Sequence, residues 1–267
     1  MNVKGWCNRA LLLCSLLLVA CPGQASLSVK PAYLHIDLTQ RNPSGVFTIA
    51  NLSDEEQVYR ARAMHFIVTE TGTLLPADEN DFSLAPWIKF NPKEFTLPAK
   101  SSRKVRFSIV NRSLTEPREY WGAIEFTPLA YATMNAEDAY GHQMQVKVLS
   151  RILVPIYGLN DGIRFAGAVS HLAGANSGNT LSLSGLIENS GDGVLRLQGK
   201  WQVFRKGEAE PLQEMVVKNF VVLPKLKRQI QAQLDAPLAP GNYQLKLLLD
   251  ESRSHVGVSG QDYFTIE

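Results

Sequence analysis

The residues best suited to chemistry in this 267-residue chain are its five histidines, His35, His65, His142, His171 and His255. None stands at the spacing from a cysteine or carboxylate that a metal-ligand motif requires. His65 falls inside a strand-like pattern, where burial statistics favour a core or surface role over ligation. Serine, histidine and aspartate are all present, yet no G-x-S-x-G elbow frames a nucleophile. No glycine-rich loop offers backbone N–H groups to a phosphate. Lys100, Arg103, Lys104 and Arg106 form a basic cluster that could face a nucleic acid. No aromatic residues interleave with these charges as base stacking would need, so the cluster reads as a solvated strand face. Asn51-Leu52-Ser53 and Asn111-Arg112-Ser113 match the glycosylation sequon. The expectation is a protein that is not an enzyme and needs no metal or cofactor.

The chemistry that the spacing does support is binding. In Gln143 to Val148, Met144, Val146 and Val148 alternate with Gln143, Gln145 and Lys147. That period of two marks a strand with one apolar and one wetted face. After Arg151 the alternation gives way to Ile152-Leu153-Val154-Pro155-Ile156-Tyr157-Gly158, a short apolar run that reads as buried strand. The whole stretch from His142 to Gly158 is expected to be the last strand of one sandwich, running on into a hinge. Its first half is then an exposed edge able to lend side chains to another protein.

Around that stretch the chain reads as all-β. Hydrophobic residues make up 45% and charged residues 19%, a globular balance. Residues 1–25 differ: Lys4 and Arg9 precede an apolar run, Ala10 to Ala20, too short to span a bilayer. Gly23 and Ala25 offer small residues for ordinary signal cleavage before Ser26. Leu18-Val19-Ala20-Cys21 also looks like a lipobox, which would place a lipid on Cys21. Cys7, Cys14 and Cys21 all lie in this leader, so the mature chain has no disulfide and must hold by packing in an oxidising compartment. The leader takes two of the 27 basic residues and no acidic one, leaving 25 against 25. That balance gives no reason to expect nucleic acid or an anionic membrane as partner.

Residues 26–158 form the expected first domain. Leu27 to Leu38 reads as a strand kinked at Pro31. Strands follow at Val46 to Ile49, Gln57 to Val68 and Phe95 to Leu97. Val105, Phe107 and Ile109 then alternate with Lys104, Arg106 and Ser108. Tyr120, Gly122, Ile124 and Phe126 share the next strand face, and Leu129 to His142 reads as a loop. About seven strands with turns between them is the signature of an immunoglobulin-like sandwich. Gly158 to Gly162 is the hinge, and residues 159–267 form a second β-sandwich. There Leu195, Leu197, Trp201 and Val203 share a face. Ala239-Pro240-Gly241-Asn242-Tyr243 resembles the corner where a tyrosine closes a sandwich end. No sustained helical period appears.

The order of these features resembles the periplasmic chaperones of pilus assembly by the chaperone–usher route. Three passages carry the resemblance: Phe95-Thr96-Leu97-Pro98 followed by Lys104-Val105-Arg106-Phe107; Arg118-Glu119-Tyr120 through Phe126-Thr127-Pro128; and Met144, Val146 and Val148 followed by Arg151-Ile152. It implies two immunoglobulin-like domains and donor-strand complementation, in which Met144, Val146 and Val148 plug the open groove of a pilin or fimbrial subunit. It further implies an outer-membrane usher as the receiving partner, a periplasmic location, and self-association through the same edge when idle.

The resemblance also implies two basic residues that hold the subunit's terminal carboxylate. Those positions fall at or near Tyr33 and at Leu153, neither of them basic. Arg151 and Lys30 lie close by in sequence, so Arg151, Lys30 and Tyr33 are the candidates for that anchor. The alternative reading is a non-enzymatic two-domain scaffold or adhesive surface protein, anchored through Cys21 if the lipobox is used.

Overall fold

A computed structural model describes residues 27–110, 115–137 and 142–267, with the backbone alone for 132–137 and 146. The leader with its cleavage site and Cys21, and the sequon at Asn111, lie outside the described residues. The fold is all-β, in two sandwiches, as the sequence pattern requires. Apart from strands, the described residues hold one turn of 3-10 helix at Ala85–Trp87.

The first sandwich contains β1 (Leu27–Lys30), β2 (Leu34–Asp37), β3 (Ser44–Asn51), β4 (Gln57–Val68), β5 (Leu74–Ala77), β6 (Ile88–Asn91), β7 (Glu94–Leu97), β8 (Ser102–Ile109), β9 (Glu119–Pro128), β10 (Ala132–Glu137), β11 (Gln143–Val148) and β12 (Ile152–Leu159). One sheet runs β1-β3-β8-β6, the other β2-β12-β9-β4-β5, with β7 also on β4. The kink at Pro31 lets the N-terminal segment change sheets. β1 pairs with β3, whereas β2 runs parallel to β12. Proline supplies no N–H to a ladder, so the break falls where the backbone leaves one sheet for the other.

Inward residues of both sheets build the core, including Phe47, Ile49, Val105, Phe107, Ile109, Ile124, Phe126 and Ile156. Lys104 and Arg106 point out to solvent between them. Asn51 of the first sequon is buried, and its Nδ2 donates to the Glu55, Leu97 and Pro98 carbonyls. Its amide is a structural clip and is closed to a glycan.

The second sandwich contains β13 (Gly167–Ser177), β14 (Thr180–Asn189), β15 (Leu195–Arg205), β16 (Gln213–Val222), β17 (Lys227–Leu234), β18 (Gly241–Glu251) and β19 (Gly257–Ile266). Its sheets run β13-β14-β17 and β16-β15-β18-β19. Leu195, Leu197, Trp201 and Val203 are buried together against Tyr243, Leu245 and Leu247. Gly199 sits where a Cβ would lie 1.9 Å from the Leu248 oxygen, so β15 and β18 approach too closely there for any side chain. The Tyr243 hydroxyl donates to the Ala239 carbonyl at 2.7 Å, closing the expected corner.

A third apolar cluster joins the sandwiches. Trp121 and Ala123 lie outside the first core, as do Phe66 and Tyr157, and all four belong to one buried cluster with Val194 and Leu223 of the second sandwich. Both faces of β9 are therefore buried. That exceeds the one-faced reading of Tyr120, Gly122, Ile124 and Phe126, because the second sandwich covers the other side.

Candidate functional site: the apolar ribbon and the joint between sandwiches

The stretch expected to be one strand is two. β11 and β12 are separated by residues 149–151, and only β12 belongs to the sandwich. It pairs with β9 from Ile152↔Phe126 to Leu159↔Glu119 and with β2 from Ile156↔Leu34 to Leu159↔Asp37. The first core covers one face of β12 and the third cluster covers the other, which is why alternation ends at Arg151. Val154 and Ile156 enter the core, while Leu153 and Tyr157 join the third cluster.

β11 pairs instead with β10, in a segment read from sequence as part of a loop. Small residues hid that strand, since Ala132 and Ala136 give a weak apolar signal around Met134. The register places Ala132 opposite Val148, Met134 opposite Val146 and Ala136 opposite Met144. By strand alternation these six positions share one face of the ribbon. Thr133, Asn135, Glu137, Gln143, Gln145 and Lys147 occupy the other. Met144 is 47% exposed, Leu149 is also exposed, and Val148 is half-buried. The ribbon is a separate two-stranded sheet, so the second edge of β11 is unpaired among the described residues.

The three candidates for a carboxylate anchor have separate surroundings. Arg151 reaches Glu125 Oε1 at 3.4 Å, and Arg62 reaches Glu125 Oε2 at 3.2 Å. Glu125 is buried, so two cations balance one carboxylate at the sheet face. Lys30 closes β1 with an exposed side chain. Tyr33 packs with His35 and Tyr157, with ring centroids 5.5 and 6.4 Å away.

Those rings border the joint between the sandwiches, and here lies a set of residues with no sequence motif. Glu119, fully buried at the start of β9, accepts Arg196 Nη2 at 2.8 Å, Arg253 Nη2 at 2.9 Å and the Val194 N–H at 2.9 Å. Burial would raise the Glu251 carboxyl, but hydrogen bonds from Ser254 and Arg253 hold it below its usual range. The Arg196 guanidinium lies over the Tyr157 ring, 4.5 Å from its centroid. Burial pushes the Tyr157 hydroxyl up to about 12. His35 keeps one face in solvent, but loss of water on the side packed toward Tyr157, and then the Arg196 charge, bring its pKa down to about 4.

His65 is buried beside Trp121, its Nδ1 3.4 Å from the Trp121 carbonyl. Among the described residues, no group of three or more His, Cys, Asp or Glu side chains is arranged to hold a metal. No helix there is long and apolar enough to cross a membrane.

Fold and ribbon together define a two-sandwich protein with an apolar strand standing clear of its own core. Similar solved structures include a chain from the chaperone–tip adhesin complex of CFA/I fimbriae biogenesis. It is 11% identical, with 89% of this chain and 99% of that one covered and a TM-score of 0.47. The class 5 fimbriae chaperone CfaA is 13% identical over 88% and 98%, also at 0.47. A chain of the CsuC–CsuE chaperone–tip adhesion subunit pre-assembly complex, from the archaic chaperone–usher Csu pili of Acinetobacter baumannii, is 11% identical over 91% and 98%, at 0.46. No family model matches the chain, and no curated protein matches it.

Proposed function

We propose that this chain is a non-enzymatic periplasmic chaperone that caps fimbrial or pilin subunits and passes them to an outer-membrane usher. The observation that carries this reading is the ribbon: a two-stranded sheet outside the home core, with Met144 exposed, whose β11 pairs with no strand but β10 among the described residues. Such an edge can donate backbone hydrogen bonds to an incomplete sandwich, while alternate side chains fill its groove. Met144, Val146 and Val148 are the plugs. Each would contribute about 1.5–3 kcal/mol on burial, before the cost of ordering the ribbon and the subunit. Ladder bonds are indifferent to subunit sequence, so the same strand can serve several related subunits.

The carboxylate anchor belongs to this proposal in altered form. Arg151 is the one candidate on the approach from β11 to β12, and subunit binding would draw it from Glu125, which keeps Arg62.

Affinity isolation from periplasmic extract, read by mass spectrometry, tests the reading. The expected associate is a small β-sandwich subunit, held by the wild-type protein and lost with Met144→Asp. Recovery of no such subunit, or equal recovery with the variant, overturns it.

A further inference from the structure

The second sandwich is closed along one side and open along the other. β13 and β19 pack edge to edge, whereas β16 and β17, each the last strand of its sheet, barely touch. Between them lies a groove of about 530 Å³. Met215, Val217 and Phe220 line it from β16, Ile230 and Ala232 from β17, and the Trp201 ring forms its floor. All but Trp201 are only partly buried. An apolar seam between the last strands of two sheets is a template for another strand.

The charge along this groove has one sign. Arg228 and Lys218 line it, and no acidic residue does. Arg228 is half-buried at the end nearest the first sandwich. Its Nη1 reaches the Val221 carbonyl at 3.4 Å, and the guanidinium sits 5.8 Å from the Phe220 ring centroid. Its Nε is buried without a hydrogen bond. Every other arginine brought into the joint region has a carboxylate: Arg196 and Arg253 have Glu119, and Arg118 has Glu116. A guanidinium removed from water without an anion is costly, and a carboxylate arriving from outside would offset that cost.

The two edges are not equivalent. The Gln229 N–H of β17 is already bonded to the Glu70 carbonyl at 2.8 Å, from the turn between β4 and β5. Among the described residues no backbone bond straps β16 from Met215 to Phe220 in this way, and Val216 stands 83% exposed.

We propose that the groove accepts an extended segment of a partner protein, added along β16, apolar at alternate positions and carrying a side-chain carboxylate that meets Arg228. From Met215 to Phe220 the seam takes about six residues of strand, on the order of 20 Å. This site lies in the other sandwich from the ribbon and stands independently of the ribbon's role.

The test uses the whole mature protein and two blocked eight-residue peptides of alternating valine and serine, one with a single aspartate near its end and one with asparagine there. Fluorescence polarisation should show the aspartate peptide binding about tenfold tighter. That preference should vanish in Arg228→Gln, persist in Arg228→Lys, and shrink in wild type as salt is raised. Val217→Lys should abolish binding of both peptides, and Met144→Asp should change neither. If Arg228→Gln does not fold, the salt series and Arg228→Lys still decide. Equal affinities for the two peptides overturn the proposal. So does binding lost with Met144→Asp but kept with Val217→Lys. A dimer of this chain that dissolves on Val217→Lys would mean a second copy fills the groove, and overturns it too.

Discussion

Arg196 Nη2 and Glu119 Oε1 lie 2.8 Å apart across the joint between the two sandwiches, and the glutamate is wholly buried. The pair couples β15 of one sandwich to β9 of the other. Arg253 shares the same carboxylate.

Removing the Glu119 charge leaves Arg196 without its buried anion and Arg253 with Glu251 alone. Glu119→Gln should therefore destabilise the protein by about 3–5 kcal/mol, the usual cost of breaking a buried pair by taking one partner. Scanning calorimetry should show the loss as a lower Tm, with the transition splitting as the sandwiches unfold separately. An unchanged single transition would mean that the third apolar cluster alone holds the joint.

The ribbon and the strand that follows it should respond oppositely to the same substitution. Val146→Asp should leave the thermal transition of the free protein within about 0.5 kcal/mol of wild type and abolish subunit capture. Ile156→Asp places an unpaired carboxylate in the first core, where it should cost several kcal/mol or prevent folding. Unfolding of the free Val146→Asp protein would assign β11 to the home core.

His35 sets a sign for acid sensitivity. Its folded pKa of about 4 lies below its ordinary 6.5. Between those values the unfolded chain takes up a proton that the native ring refuses. Stability from this group is thus full above pH 6.5 and is lost progressively as pH falls toward 4. His35→Gln should flatten the stability–pH curve in that window, measured by urea titration at stepped pH. An unaltered slope there would show that His35 titrates alike in both states.

Two glycines should separate close approach from open space. Gly199→Ala forces β15 away from the Leu248 carbonyl and should cost about 1–3 kcal/mol or more. Gly257 has no atom within 4 Å of an added Cβ, so Gly257→Ala should change stability by no more than about 0.5 kcal/mol. Equal effects would contradict the packing at Gly199.

Much of the fold was legible because burial imposes periods on sequence. The alternation of Val105, Phe107 and Ile109 with Lys104, Arg106 and Ser108 reappears as core face and solvent face of β8. The corner at Ala239 to Tyr243 was legible because its hydrogen bond spans four residues. Alternation also marked Met144, Val146 and Val148 as a face, but it cannot say which neighbour a strand pairs with. β10 was invisible as a strand because alanine contributes little to an apolar pattern. Glu119, Arg196, Arg253 and the groove at Arg228 were out of reach for a different reason. Glu119 meets Arg196 and Arg253 across 77 and 134 residues, the groove forms where the last strands of two sheets come side by side, and no local pattern records such meetings.

β12 leaves the ribbon and runs between β9 and β2 without a break in the chain. A pull on Met144 along the strand direction therefore loads both flanking ladders in shear, many hydrogen bonds at once, rather than unzipping them singly. The ribbon is mechanically the continuation of the first sandwich's interior.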